Sequence, residues 1–112
     1  MSNTYRKMHR KHRKELVKHA KETCEWDWEW FHESVIMRIR HMYEYYTCGD
    51  NVWQADESRL PVVEQLQYVL DLDKEIKNLE EEWETQEEYY KLTGMYEELY
   101  RYIGKHMHGW WD

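Results

Sequence analysis

The stretch CEWDWEWFH, residues 24–32, places three tryptophans and one phenylalanine within six positions, alternating with acids. Asp27 has a side chain suited to a helix N-cap. With Asp27 as the cap, Trp26 and Phe31 have the spacing of a hydrophobic staple, which fixes the entry of the chain into a helix. The stretch therefore predicts that one helix ends and a second one begins here, and the apolar pattern carries the second helix over residues 28–47.

Helical patterns extend on both sides of this stretch. Residues 4–22 contain good helix formers and no breaker, so they predict a first helix. Gly49-Asp50-Asn51 breaks the second helix, and a third begins near Ser58 or Arg59 with Pro61 in its first turn. Its apolar residues recur every seven positions over about four heptads, as in a coiled coil: Val62, Val69, Ile76, Trp83 and Tyr90.

Gly94 is expected to end that long helix, with Thr93 as the N-cap of a shorter fourth helix. The predicted fold is all-α: an antiparallel bundle of three long helices plus a shorter C-terminal helix, in a single domain over residues 1–112. Residues 1–14 are expected to form a basic arm that frays. A third helix of this length exceeds what a 112-residue monomer needs, so it either projects from the body or forms a dimer, and we expect a homo-oligomer.

The net charge of −7 hides a strong asymmetry along the chain. Residues 1–21 carry eight Lys or Arg and one acid, a net +7, and residues 22–112 carry the other eight cations and 22 acids, a net −14. The acidic body would repel a long polyanion, so duplex nucleic acid is not the expected partner. No apolar run suits a membrane span or a signal peptide, and the two cysteines have no disulfide framework, so we expect the cytoplasm.

Seven tryptophans are more than a core of this size can hold. Trp28 and Trp30 lie about 200° apart on a helix, so one of them faces away from the apolar stripe. An exposed tryptophan is typical of a protein interface, and it can also stack on a nucleobase. Both alternatives stay open from the sequence.

Metal and catalytic chemistry have little support in the sequence. His12 and His19 share a helix face, but three or four convergent ligands at the spacing of a known zinc site are missing, so no metal and no cofactor is predicted. One enzymatic pattern has physical content. All-helical nucleotide pyrophosphohydrolases hold magnesium with carboxylates spaced three apart, and Glu22-x-x-Glu25 and Glu81-x-x-Glu84 have that spacing.

The segments WDWEWF (26–31), NVWQADESRLP (51–61) and GWWD (109–112) together resemble a loose group of small helical proteins encoded by tailed phages and prophages. The resemblance implies a phage-encoded accessory protein in the host cytoplasm. Small phage proteins of this type counter host defence by binding a defence protein or by sequestering a nucleotide-derived signal. It implies no catalytic residues.

We therefore predict non-enzymatic sequestration of a small anionic, nucleotide-like immune signal. Cations would hold the phosphates and aromatic rings would stack on bases. The candidate residues are Arg10, Arg13, Arg38 and Arg40 for the anion, and Trp28, Trp30, Trp53 and Trp110 for stacking. For Arg38 and Arg40 the alternative is an intramolecular ion pair with Glu64 or another acid. The alternative functions are an inhibitor of a host defence protein or a structural accessory, and then the pyrophosphohydrolase.

Overall fold

The computed structural model describes residues 3–22, 28–48 and 60–110, which form four α-helices and a 3₁₀ turn. The all-α class is therefore confirmed, while the bundle arrangement and the oligomeric state stay predictions. In chain order the elements are α1 (Asn3–Glu22), α2 (Trp28–Thr47), α3 (Leu60–Glu82), α4 (Gln86–His106) and the 3₁₀ turn Met107–Gly109.

The chain divides into two compact units, residues 1–63 and 64–112, and each is described by itself. The first unit contains α1, α2 and the first residues of α3. The second contains the rest of α3, α4 and the 3₁₀ turn. The prediction of one domain over 1–112, with a fraying basic arm, stays a prediction.

In the first unit the predicted bounds of α1 and α2 are confirmed, whereas the predicted apolar stripe of α2 is only partly so. Ile36 and Ile39 are buried, but Trp28 and Phe31, at the start of the stripe, are 52% and 49% exposed. The predicted Asp27 cap and Trp26 staple lie outside the described residues.

In the second unit α3 and α4 are antiparallel. The rings of Tyr68 and Tyr102 lie 4.2 Å apart, and the Tyr96 hydroxyl hydrogen-bonds Glu80. Residues late in α3 therefore meet residues early in α4. The core of this unit consists of Leu66, Val69, Ile76, Leu92, Leu99, Ile103 and Trp110.

The predicted boundary between the third and fourth helices is wrong. The third helix ends at Glu82, not near Gly94, and residues 83–85 are not helical. The cap is Thr85: its hydroxyl accepts from the Glu88 backbone N–H at 3.2 Å and donates to the Glu88 carboxylate at 3.0 Å. This resembles a capping box, Thr-x-x-Glu, and it makes α4 21 residues long, so the fourth helix is not the short one.

The acidic run around this boundary explains its position. Glu80, Glu81 and Glu82 lie in the last turn of α3, where the helix dipole disfavours anions, whereas Glu87 and Glu88 lie in the first turn of α4, where it favours them. The heptad pattern continues through this point because Trp83 and Tyr90 keep the period. Both are exposed, at 42% and 63%. Periodicity alone therefore predicted too long a helix.

Candidate anion-binding site

The first unit is built on an antiparallel pairing of α1 and α2 through polar side chains. His9 hydrogen-bonds the Tyr45 hydroxyl at 2.7 Å, and near the other end of α1, His19 hydrogen-bonds Ser34 at 2.8 Å. The partner's number on α2 falls as the residue number on α1 rises. Between these two contacts, His12 and Glu15 of α1 also contact α2, so successive contacting residues of α1 lie three or four positions apart. One face of α1 therefore makes all of these contacts.

At the centre of this pairing lies a charged network. The Arg40 guanidinium donates to Glu15 on α1 and, at 3.1 Å, to Glu44 on its own helix. Glu44 also accepts a 2.7 Å hydrogen bond from Nε2 of His12. Two acids, one from each helix, therefore share one arginine.

Two buried histidines lie against this network. The rings of His12 and His41 stack with centroids 3.8 Å apart and an interplanar angle of 10°. Their exposed fractions are 2% and 1%. Nε2 of His41 is 3.6 Å from Glu15, too far for a hydrogen bond, and neither ring nitrogen of His41 has a hydrogen-bond partner. The pair is therefore held by packing more than by hydrogen bonds.

The surroundings set the charge of these groups. Burial, together with the charges of His12 and Arg40, lowers the pKa of His41 to about 4, although Glu15 opposes the shift. The hydrogen bond from Arg40 lowers the pKa of Glu15. For Glu44, burial raises the pKa, but the hydrogen bonds from His12 and Arg40 outweigh it and the pKa is lowered. At neutral pH the network therefore contains two carboxylates, one guanidinium and an uncharged His41.

The opposite face of α1 is a basic surface. Its eight cations are all exposed and cover an arc of about 160° of the helix. We call this surface the basic face; it consists of Arg6, Lys7, Arg10, Lys11, Arg13, Lys14, Lys18 and Lys21. The inward polar network and the outward basic face therefore occupy different sides of one helix.

Two open grooves lie on the basic face. The first has a volume of about 500 Å³ and is lined by Glu15 and five cations, Lys7, Arg10, Lys11, Lys14 and Lys18. The second, of about 560 Å³, is lined by Arg13, Lys14, Val17, Lys18 and Lys21. Both are open hollows between side chains of one helix, and the ammonium and guanidinium groups at their rims favour an anion.

Of the four predicted arginines, two line the grooves. Arg10 lines the first and Arg13 the second. Arg38 is exposed on α2, and Arg40 is engaged by Glu15 and Glu44. For Arg40 the alternative of an intramolecular ion pair is therefore confirmed, with Glu15 and Glu44 as its partners and not Glu64.

The predicted tryptophans are not brought together around the grooves. Trp28 stacks on Phe31 and His32, with centroids 6.1 and 5.6 Å away. Trp30 stacks on His19 at 5.0 Å. Neither indole lines either groove.

The other two predicted tryptophans lie elsewhere. Trp110 is 1% exposed in the core of the second unit, and its indole N–H donates to Gln65 at 2.9 Å. Its stacking face is therefore covered in this structure. Trp53 lies outside the described residues.

Five lysines that line the grooves were not among the predicted site residues: Lys7, Lys11, Lys14, Lys18 and Lys21. The signal for them was present in YRKMHRKHRKELVKHAK, residues 5–21, as cations spaced three and four apart. Such spacing puts charges on one side of a helix. The prediction named only arginines for the anion.

Glu81 and Glu84 do not lie on one helix. Glu81 lies in the last turn of α3, whereas Glu84 lies in the break before α4. Glu25 lies outside the described residues. Across residues 3–22, 28–48 and 60–110, no group of three or more His, Cys, Asp or Glu side chains could hold a metal ion.

The second unit carries a different surface at the α3–α4 turn. Trp83, Tyr89 and Tyr90 are exposed, with ring centroids 5.4 Å apart for Trp83–Tyr89 and 6.2 Å apart for Tyr89–Tyr90. Residues 80–90 contain six glutamates and no cation. We call this the acidic aromatic turn.

None of the helices that the structure describes has the length and apolar character needed to cross a membrane. Comparisons of the chain with models of known protein families, with curated proteins and with solved structures find no match.

Proposed function

We propose that this chain is a non-enzymatic, phage-encoded binding protein that acts against host defence by sequestering a nucleotide-derived anionic signal. The observation that carries the proposal is the first groove, an open hollow on the surface of α1 that five cations line. Phosphate groups are the anions for which closely spaced Lys and Arg side chains are best suited. The phage origin and the defence target come from the resemblance of the sequence.

The α1–α2 pairing supports this function because it holds the basic face outward. His12, Glu15 and His19 occupy the side of α1 that contacts α2, and they leave the cations on the other side. Among the described residues, Glu15 is the one acid in the groove lining, and it shares the Arg40 guanidinium with Glu44. A bound anion would therefore meet a lining in which the cations outnumber the acid, and Arg40 offsets part of the charge of Glu15.

Binding, and not turnover, is favoured by the same residues. The groove offers Lys and Arg, which hold phosphate oxygens, but its lining has no histidine and no cysteine among the described residues. Its one carboxylate is committed to an ion pair. No described residue of the lining is therefore suited to act as an activated nucleophile or as a general base.

The test is calorimetric titration of ATP and of cyclic nucleotides into the wild-type protein and into a double variant, Arg10→Gln/Lys14→Gln. We expect the double variant to bind about tenfold more weakly, because two surface ion pairs are lost. The matched control is Lys74→Gln/Lys91→Gln, which removes the same charge from exposed positions in the second unit. Equal affinity in the two double variants would contradict a site on α1.

A second measurement separates sequestration from catalysis. The complex is denatured after overnight incubation with magnesium, and the released ligand is identified by chromatography. Sequestration requires that the ligand return intact. Magnesium-dependent turnover that is abolished by Glu81→Gln would instead establish the pyrophosphohydrolase alternative.

The acidic aromatic turn favours a second candidate function, the binding of a host defence protein. Trp and Tyr are enriched at the centres of protein interfaces, and three such rings are exposed together at this turn. This function predicts a stable complex in host lysate that is lost on Trp83→Gln and kept on Arg10→Gln/Lys14→Gln. The sequestration function predicts the opposite pattern for nucleotide binding.

A further inference from the structure

We infer that the basic face recognises the phosphate chain of its ligand and not the base, so the ligand class is an anion that carries several phosphates in a linear chain. This inference rests on the proposed function, because it concerns the same groove. It adds the chemical feature by which the ligand would be selected. Nucleoside polyphosphates and inorganic oligophosphates share this chemistry.

The five cations that line the first groove follow one another along α1. Lys7, Arg10, Lys11, Lys14 and Lys18 follow one another at intervals of one, three or four residues within an arc of about 100°. From residue 7 to residue 18 the helix rises about 16 Å, which gives one cation for about every 3 Å of groove. The positive charge is therefore spread over a band along the helix and is not gathered around a point; we call these five cations the row.

A linear oligophosphate matches this arrangement of the cations. In a linear oligophosphate every successive phosphate carries negative charge, so each added phosphate meets a further cation of the row. A single phosphate can contact only one or two of these side chains at a time. Affinity should therefore rise with the number of phosphates until the row is filled.

The described lining of the two grooves offers no aromatic surface on which a base could stack. No aromatic side chain is among the described residues that line the two grooves, and the only non-basic lining residues are Glu15 and Val17. Recognition of unstacked bases normally uses aromatic platforms. The identity of the base should therefore have little effect on affinity.

The experiment is a calorimetric series at constant ionic strength with AMP, ADP, ATP and adenosine tetraphosphate. We expect each added phosphate to tighten binding by about threefold, the scale of one exposed ion pair. Inorganic tripolyphosphate, GTP and UTP should all bind within about threefold of ATP if the base makes no contact. The tripolyphosphate arm separates an inorganic source of the chain from a nucleotide source.

Variants tie the effect to the row of cations. Lys11→Gln and Lys14→Gln should each flatten the dependence of affinity on chain length, whereas Lys91→Gln, an equal loss of charge on α4, should leave it unchanged. Circular dichroism checks that each variant is folded. Using two row variants keeps the test decisive if one of them unfolds.

The failures are distinguishable. If no phosphate-bearing compound binds, the proposed function itself fails. If AMP binds as tightly as ATP, or if ATP, GTP and UTP differ by more than about tenfold, the phosphate-chain inference is overturned while sequestration stands. A single-stranded oligonucleotide that binds more tightly than adenosine tetraphosphate would also overturn it.

Discussion

At the scale of single residues, His41 contributes a pH-dependent term to stability. Its pKa is about 4 in the folded chain, against 6.5 for an ordinary histidine, so the unfolded chain binds a proton more readily between these values. Stability is therefore full above about pH 6.5 and falls as the pH is lowered towards 4. The groups that face His41 are His12, Glu15 and Arg40.

We expect wild-type protein to lose about 2 kcal/mol of unfolding free energy between pH 7 and pH 5 through His41. Urea unfolding of His41→Leu should show a correspondingly smaller loss over that range, because leucine has no proton to gain. His108→Leu, at an exposed position, is the control and should keep the wild-type dependence. The same dependence in all three proteins would show that His41 is not buried as an uncharged ring.

Arg40 and Arg38 provide a second test at this scale. Arg40→Met leaves the part-buried Glu15 and Glu44 without their shared partner, so we expect a loss of about 1–2 kcal/mol, discounted because the three groups are partly exposed. Arg38→Met removes the same charge from an exposed position two residues away and should change stability by less than about 0.5 kcal/mol. Chemical denaturation measures both. If the two variants are equally stable, Arg40 is available for the ligand contact predicted from the sequence.

At the scale of helices, the sequence predicts where helices occur better than it predicts where each helix ends. The bounds of α1 and α2 agree with the prediction to within one residue, and Pro61 lies in the first turn of α3 as predicted. The α3–α4 boundary was missed because the seven-residue pattern runs across it, although TQEE at residues 85–88 is a local capping signal. The network of His12, Glu15 and Arg40 could not be predicted, because it depends on which faces of two helices meet.

Thr85 and Thr93 distinguish the predicted boundary from the observed one. Thr85→Ala removes the cap of α4 and should cost about 1 kcal/mol. Thr93 lies inside α4, where its hydroxyl donates a hydrogen bond to the Tyr89 carbonyl at 3.1 Å. Thr93→Ala should therefore be neutral or slightly stabilising. Equilibrium unfolding of the two variants gives the comparison. The reverse order of stability would restore Thr93 as the cap and place the end of the third helix near Gly94.

At the scale of the whole molecule, we expect the segregation of charge along the chain to decide which polyanions bind. On the proposed function a short phosphate chain would contact α1 alone, whereas a DNA duplex would extend beyond α1 and be repelled by the net −14 of residues 22–112. We therefore expect tripolyphosphate to bind at about 150 mM salt, where attraction remains over about 8 Å, and a 20-base-pair duplex to bind at least tenfold more weakly per site. Fluorescence anisotropy of the labelled duplex, with unlabelled tripolyphosphate as competitor, measures both affinities. Tight duplex binding by the wild-type protein would make α1 a nucleic-acid-binding helix and would leave sequestration of a small signal without its electrostatic basis.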